Sequence, residues 1–352
     1  MRIAFFSWRD LAHPQAGGSE VVVDHLASGL QQRGHEVVLL SGGPVAERPY
    51  RVLSTGGTYA QYLRAPIEYW RRVRPVDVIV DVENGIPFFA PLWQSAPVVC
   101  LIHHVHTDQW GMQFPGPVAG VGRWLEGSLM PRVYRAVQFV AVSPSTRDEL
   151  VTLGVDDRRV TTIEMGCEPV AAAGPRSSTP RFLVLGRLVP HKRVEIALRA
   201  WEHVQPALGG TLVVAGDGPE LSRLRDGSPP GVDFTGYVSA ERKAQELGAA
   251  WLLVHPAHHE GWGTVVMEAA SVGLPTLAFD VPGVRDSIVD GVTGTLVADE
   301  RAFVDAWLRL GADPGTLRRL GEGARRRAST FTWERAIERF ESTLVAAAAD
   351  PT

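Results

Sequence analysis

Apolar positions along the chain follow two alternating rhythms. Short, mostly apolar runs occur at residues 2–7, 36–40, 77–82, 97–102, 139–142 and 160–163, and again at 181–185, 212–215, 232–234, 251–254 and 275–279. A run without polar alternation reads as a strand buried on both faces, as in a parallel sheet. Between the runs, apolar residues recur at helical spacing. Val22, Val23, Leu26 and Leu30 share one face and Gly34 closes that helix; Ile196, Ala197, Ala200 and Trp201 share another. Val266, Ala269, Ala270 and Gly273 form a third face, and Trp333, Ile337, Phe340 and Leu344 a fourth, behind Thr332 as N-cap. Strands alternating with helices predict the α/β class with Rossmann-like parallel sheets.

The alternation halts once. Residues 171–180 are rich in Ala, Gly, Pro and Ser, lack periodicity, and read as a boundary. The chain, at 352 residues, exceeds one ordinary core. Two domains are therefore expected, 1–172 and 173–331, followed by a terminal helix at about 332–348.

Composition narrows the class. Apolar content of 45% with 21% charged residues is that of a globular protein, not a disordered one. A net charge of −4 gives no reason to expect nucleic acid. Cys100 and Cys167 lie far apart, fit a reducing cytoplasm, and form no metal-type spacing with histidine. The opening Met1–Phe6 turns polar too soon for a signal peptide, and no apolar run nears the length of a transmembrane helix. The expected location is cytoplasmic. Residues 59–74 are amphipathic: Tyr59, Tyr62, Leu63, Ile67 and Trp70 fall among Arg64, Arg71, Arg72 and Arg74. A basic aromatic helix can lie on an anionic inner-membrane surface. The reading preferred here is a core-facing helix with solvated arginines.

Candidate chemistry concentrates at the carboxyl ends of the apolar runs, where open α/β sheets bind ligands. After 251–254 comes His258-His259-Glu260-Gly261-Trp262-Gly263-Thr264-Val265-Val266-Met267-Glu268. A strand, a glycine turn and a helix start offer unpartnered N–H groups at 262–265 to an anion. Glu260 and Glu268 bracket that turn, and carboxylates beside a phosphate suit the hydroxyls of a sugar and a ribose. After 181–185, Arg187 and Lys192 open a helix at the end that cations disfavour, which suits a diphosphate clamp. After 2–7, Gly17 and Gly18 precede a helix and allow close backbone approach. Glu83 follows the run 77–82, and His103, His104 and His106 follow 97–102, with spacing ill suited to zinc.

Glu260-x7-Glu268 with Gly-aromatic-Gly inside it resembles the signature of the family 4 retaining glycosyltransferases, which have the GT-B fold. The companions appear in order across almost the whole chain: Gly17-Gly18, a strand-end His, Gly186-Arg187…Lys192 and Gly216-Asp217-Gly218-Pro219-Glu220. The resemblance implies two Rossmann-like domains facing across a cleft, acceptor on the N-terminal one and nucleotide-diphospho-sugar on the C-terminal one. It implies that the terminal helix returns to the first domain. It implies glycosyl transfer with retention, no cofactor and no required metal. The residues implied are Glu260, His103, Arg187 and Lys192 for catalysis. For binding they are Gly17, Gly18, Trp262, Gly263, Thr264, Val265 and Glu268, with His104 as the alternate to His103 and Val238 in the base-binding loop. His258-His259 and Trp262 depart from the usual pattern, which bears on the donor sugar. The acceptor (a glycan, a lipid or a small metabolite) is open. Two other functions use such a fold. An epimerase would turn over donor without acceptor, and a binding module would release no nucleoside diphosphate.

Overall fold

The computed structural model describes residues 1–14, 16–57, 59–170 and 174–349. Apolar runs become parallel strands throughout. In the N-terminal half these are β1 (Arg2–Arg9), β2 (Glu36–Gly42), β3 (Arg51–Ser54), β4 (Val78–Glu83), β5 (Val98–Ile102), β6 (Gln138–Ala141) and β7 (Val160–Thr162). They pair in the order β3-β2-β1-β4-β5-β6-β7. Phe5 of β1 lies opposite Leu39 on one side and Val80 on the other, so the strand is covered along both edges. Every residue of β4 is buried, Asp81 and Glu83 included, because helices cover both faces of a parallel sheet.

The second half repeats the plan. β8 (Arg181–Leu185), β9 (Thr211–Ala215), β10 (Val232–Gly236), β11 (Leu252–His255), β12 (Thr276–Phe279) and β13 (Gly294–Val297) pair in the order β10-β9-β8-β11-β12-β13. Its core packs Phe182, Trp201, Phe303 and Trp307 together, with the Phe182 and Trp307 ring centroids 5.3 Å apart and nearly perpendicular.

The chain divides into two compact units. One is Met1–Gly166 with the segment from Trp333 onward; the other is Cys167–Thr332. Of the stretch read as a boundary, residues 171–173 lie outside the described residues. The terminal helix Trp333–Ala349 belongs to the first unit by contact. Phe340 is fully buried beside Phe5, Trp333 stacks on His25 at 4.1 Å, and Glu341 meets both Arg33 and His35.

One expectation is overturned. The helix Gln61–Arg72 turns Gln61, Ala65 and Tyr69 inward, not the stripe expected to face the core. Leu63 is 78% exposed, Ile67 54% and Trp70 45%, with Tyr59 exposed just ahead of the helix. The helical period places 61, 65 and 69 together, and these fit the narrow space where Gln61 Nε2 reaches the carbonyl of Trp8 at 2.7 Å. Of the apolar set only Tyr62 is half-buried, its ring tilted against Phe88 at 4.7 Å. Among the described residues no helix is long and apolar enough to cross a membrane.

Candidate active site

In the second unit the strand order reverses between β8 and β11, so the loops leaving these two neighbours open a crevice beyond the sheet. The loop after β8 carries Arg187 and Lys192; the loop after β11 carries Glu260. Three contacts sew the loops together. His258 N donates to His191 O at 2.9 Å, Arg193 Nε donates to Pro256 O at 3.0 Å, and Lys192 Nζ bonds Glu260 Oε1. His255, the last residue of β11, places Nε2 3.0 Å from the same Glu260 oxygen. Burial would raise the Glu260 carboxyl, but the Lys192 charge and the bonds from His255 and Lys192 outweigh it and hold it well below the ordinary range. Glu260 is thus a fixed anion gripped by two nitrogen groups, with its second oxygen available to a ligand hydroxyl.

Beyond Glu260 the backbone turns through Gly263 at φ 72°, a left-handed conformation that suits glycine, into the helix Thr264–Ser271. Met267 N closes the first turn onto Gly263 O at 3.1 Å, so the amides of Thr264, Val265 and Val266 have no partner within the helix. The Trp262 ring is buried against Phe331 at 4.9 Å, which leaves the backbone of this residue as its part in any site. Glu268 pairs with Lys243 at 2.6 Å across from the helix Ala240–Ala249. Val238 and Val265 pack on one apolar cluster, which sets the loop after β10 beside the helix start.

Arg187 is exposed on a loop held from behind by the loop after β9. Leu188 N bonds Asp217 O at 2.9 Å and Glu220 N returns to Leu188 O at 3.1 Å. A Cβ on Gly218 would lie 2.4 Å from Leu188 O, and one on Gly216 would lie 1.8 Å from Gly186 O. The Gly-Asp-Gly motif is therefore a seat for the arginine loop: no side chain fits between the two backbones.

In the first unit the same kind of switch lies between β1 and β4. Gly17 N donates to Glu20 Oε2 at 2.7 Å, so of the glycine pair Gly18 is the one not tied to Glu20. His103, just past β5, is buried, and its Nε2 makes no hydrogen bond. Burial lowers its pKa to about 4, which makes it a neutral imidazole near pH 7. The His104 and His106 rings lie 4.1 Å apart in the loop beyond.

The structure joins Lys192 to Glu260 and places Glu268 on the helix that follows. Sequence reasoning missed His255 and Lys243. His255 left a trace, as a polar residue directly after the apolar run 251–254; Lys243 left none, being an ordinary helix lysine whose partner is distant in sequence. A cavity of about 560 Å³ lined by Arg176, Trp251, Pro275, Leu317 and Arg325 lies at the opposite, amino ends of β11 and β12.

Comparison with known proteins agrees in fold and class. The profile described as Glycosyltransferase Family 4 matches residues 16–169, and that described as Glycosyl transferases group 1 matches residues 179–313. A glycogen synthase of Mycobacterium tuberculosis is 27% identical over 95% of this chain and 92% of its own length. A D-inositol 3-phosphate glycosyltransferase of Streptomyces bingchenggensis is 32% identical, over 57% of this chain and about half (51%) of its own length. Among solved structures, sucrose-phosphate synthase from Thermosynechococcus elongatus superposes with a TM-score of 0.85 at 20% identity, covering 99% of each chain. The Anabaena protein HepE, solved with UDP-glucose, gives 0.78 at 16% identity, covering 98% of this chain and 100% of its own. The solved neighbours share the GT-B fold, and with a profile of this family on each half, the chain belongs to the group 1, family 4 glycosyltransferases.

Proposed function

We propose that the chain moves a glycosyl group from a nucleotide-diphospho-sugar to an acceptor hydroxyl with retention of anomeric configuration. The second unit holds the donor and the first the acceptor. The observation that carries this reading is the Lys192–Glu260–His255 group beside the open amides of the helix Thr264–Ser271. A cation and helix N–H groups suit a diphosphate, and an ionised, immobilised carboxylate suits sugar hydroxyls. HepE solved with UDP-glucose supports a nucleotide-sugar donor.

In the transfer, the bond from the anomeric carbon to the diphosphate oxygen breaks and charge develops on that oxygen. Arg187, Lys192 and the amides at 264–266 stabilise it. The acceptor oxygen bonds the anomeric carbon on the same face, and its proton passes to the departing phosphate. Glu260 positions the donor sugar, Glu268 the ribose, Val238 lines the base, and neutral His103, or His104 beside it, binds a sugar hydroxyl. The diphosphate needs no metal, because side-chain and backbone donors supply the positive field.

The test is calorimetry with a panel of sugar nucleotides, followed by nucleoside diphosphate release with acceptors and an NMR reading of the product anomer. Arg187→Ala and Lys192→Ala should each lower turnover by roughly 10²–10³-fold. Donor turnover near wild type in both variants, or an inverted product, would overturn the assignment.

A further inference from the structure

A second group of buried acids lies in the first unit, outside the residues assigned above. Glu83 ends β4 and is 1% exposed, and no side chain donates a hydrogen bond to either of its carboxylate oxygens. Glu126, also 1% exposed, comes from the widely wound turn Leu125–Leu129. His106 comes from the loop after β5. One ligand atom from each of the three can be chosen so that all lie within 4.8 Å of one another.

Glu126 is firmly oriented. It accepts from His106 N at 2.5 Å, from Trp110 Nε1 at 3.1 Å and from Thr107 Oγ1 at 3.5 Å. Trp110 is itself pressed onto Gly122, where any Cβ would come within 2.4 Å of the indole. His106 Nδ1 makes no hydrogen bond and stands 3.5 Å from Glu126 Oε1, while the His104 ring lies tilted against it at 4.1 Å. The His106 side chain is 14% exposed and so provides an approach from solvent.

The charges that act most on Glu83 are Glu126 and Asp81, both acidic. Two buried carboxylates gathered beside a bare imidazole nitrogen are an unfavourable set as they stand. A doubly charged cation neutralises the pair and gives every orphaned atom a partner. We propose that Glu83, His106 and Glu126 bind one divalent metal ion. Two oxygens and one imidazole nitrogen favour zinc or manganese over magnesium or calcium. The Trp110 and backbone bonds to Glu126 are the outer contacts that orient such a ligand.

This goes beyond the transfer reading, which gives no role to Glu83, His106 or Glu126. The experiment uses the full chain stripped with a chelator, then exposed to zinc, manganese or magnesium and desalted. Metal content is read by mass spectrometry and Tm by calorimetry. Wild type should retain about one equivalent of zinc or manganese and gain several degrees in Tm, with magnesium much weaker. Glu83→Gln and His106→Asn should each lose most of the retained metal and of the Tm gain. Metal-free Glu83→Gln should melt no lower than metal-free wild type, since the change removes an acid buried among acids; this separates lost ligation from lost folding. Wild type that retains no zinc or manganese overturns the proposal, as do variants that retain as much as wild type. A higher melting point in Glu83→Gln with no metal in wild type would mark a shared proton instead, and also overturns it. Sugar-nucleotide binding measured on the same samples reports separately on the donor site.

Discussion

His103 shows how burial sets the chemistry of one residue. Its pKa falls from 6.5 to about 4, with burial the largest cause. Between those values the unfolded chain binds more protons than the folded one, so stability rises with pH across the window and is lost on acidification. The depression corresponds to about 3 kcal/mol at most. Urea unfolding of wild type at pH 4.5, 5.5 and 7 should show that slope, and His103→Gln should flatten part of it. Glu260 is the opposite case, an acid held ionised by its neighbours. Glu260→Gln leaves Lys192 and His255 without their shared anion, so turnover should drop about 10²-fold or more in a steady-state assay. His255→Asn, which removes only the rear support, should show a smaller drop and a raised KM for donor. Strand-end charges such as Lys192 and Glu260 were legible in the sequence because an apolar run delivers its next polar residues to the ligand-binding edge. The pairing of Glu83 with Glu126 was not legible, since it depends on how a helical turn folds back over the sheet.

At the scale of elements, the parallel strands were the easiest part to read. Double-sided burial leaves an apolar run with no polar alternation, and β4, β5 and β11 show it plainly. Helix orientation was harder. The helix Gln61–Arg72 buries Ala65 and Tyr69 and exposes Leu63 and Ile67, because a small residue and a flat ring fit the available gap where branched chains do not. Leu63→Gln with Ile67→Gln should therefore change the unfolding free energy by no more than about 0.5 kcal/mol, against several for core positions. Glycine loops behave the other way. Gly218→Ala forces a methyl onto the Leu188 carbonyl and should destabilise the second unit by about 1–3 kcal/mol, measured by thermal unfolding. Because that carbonyl belongs to the arginine loop, donor affinity should fall in the same variant.

At the scale of the whole molecule, the two sheets share one topology, and the units differ in how the chain supplies them. The second is drawn from one continuous stretch; the first needs Met1–Gly166 and the helix that begins at Trp333. Phe340 and Leu344 are fully buried in the first unit, so Phe340→Ala should cost about 3–5 kcal/mol there. Differential scanning calorimetry should show that loss in one transition while the other keeps its midpoint. The helical pattern of residues 333–344 was visible in the sequence, but nothing in its periodicity named the sheet it would cover. That followed only from family resemblance.

This discontinuity has a consequence for synthesis. A ribosome delivers residues in order, and domains generally fold as they emerge. Residues 1–166 emerge before the second unit, yet Gly29 and Phe5 must wait for Ile337 and Phe340, which leave the tunnel only after the whole second unit. The stretch made later can therefore finish before the one made earlier. A nascent chain that has left the tunnel as far as residue 332 would carry a settled rear half behind a front half with an uncovered apolar seam, a surface of the kind chaperones hold.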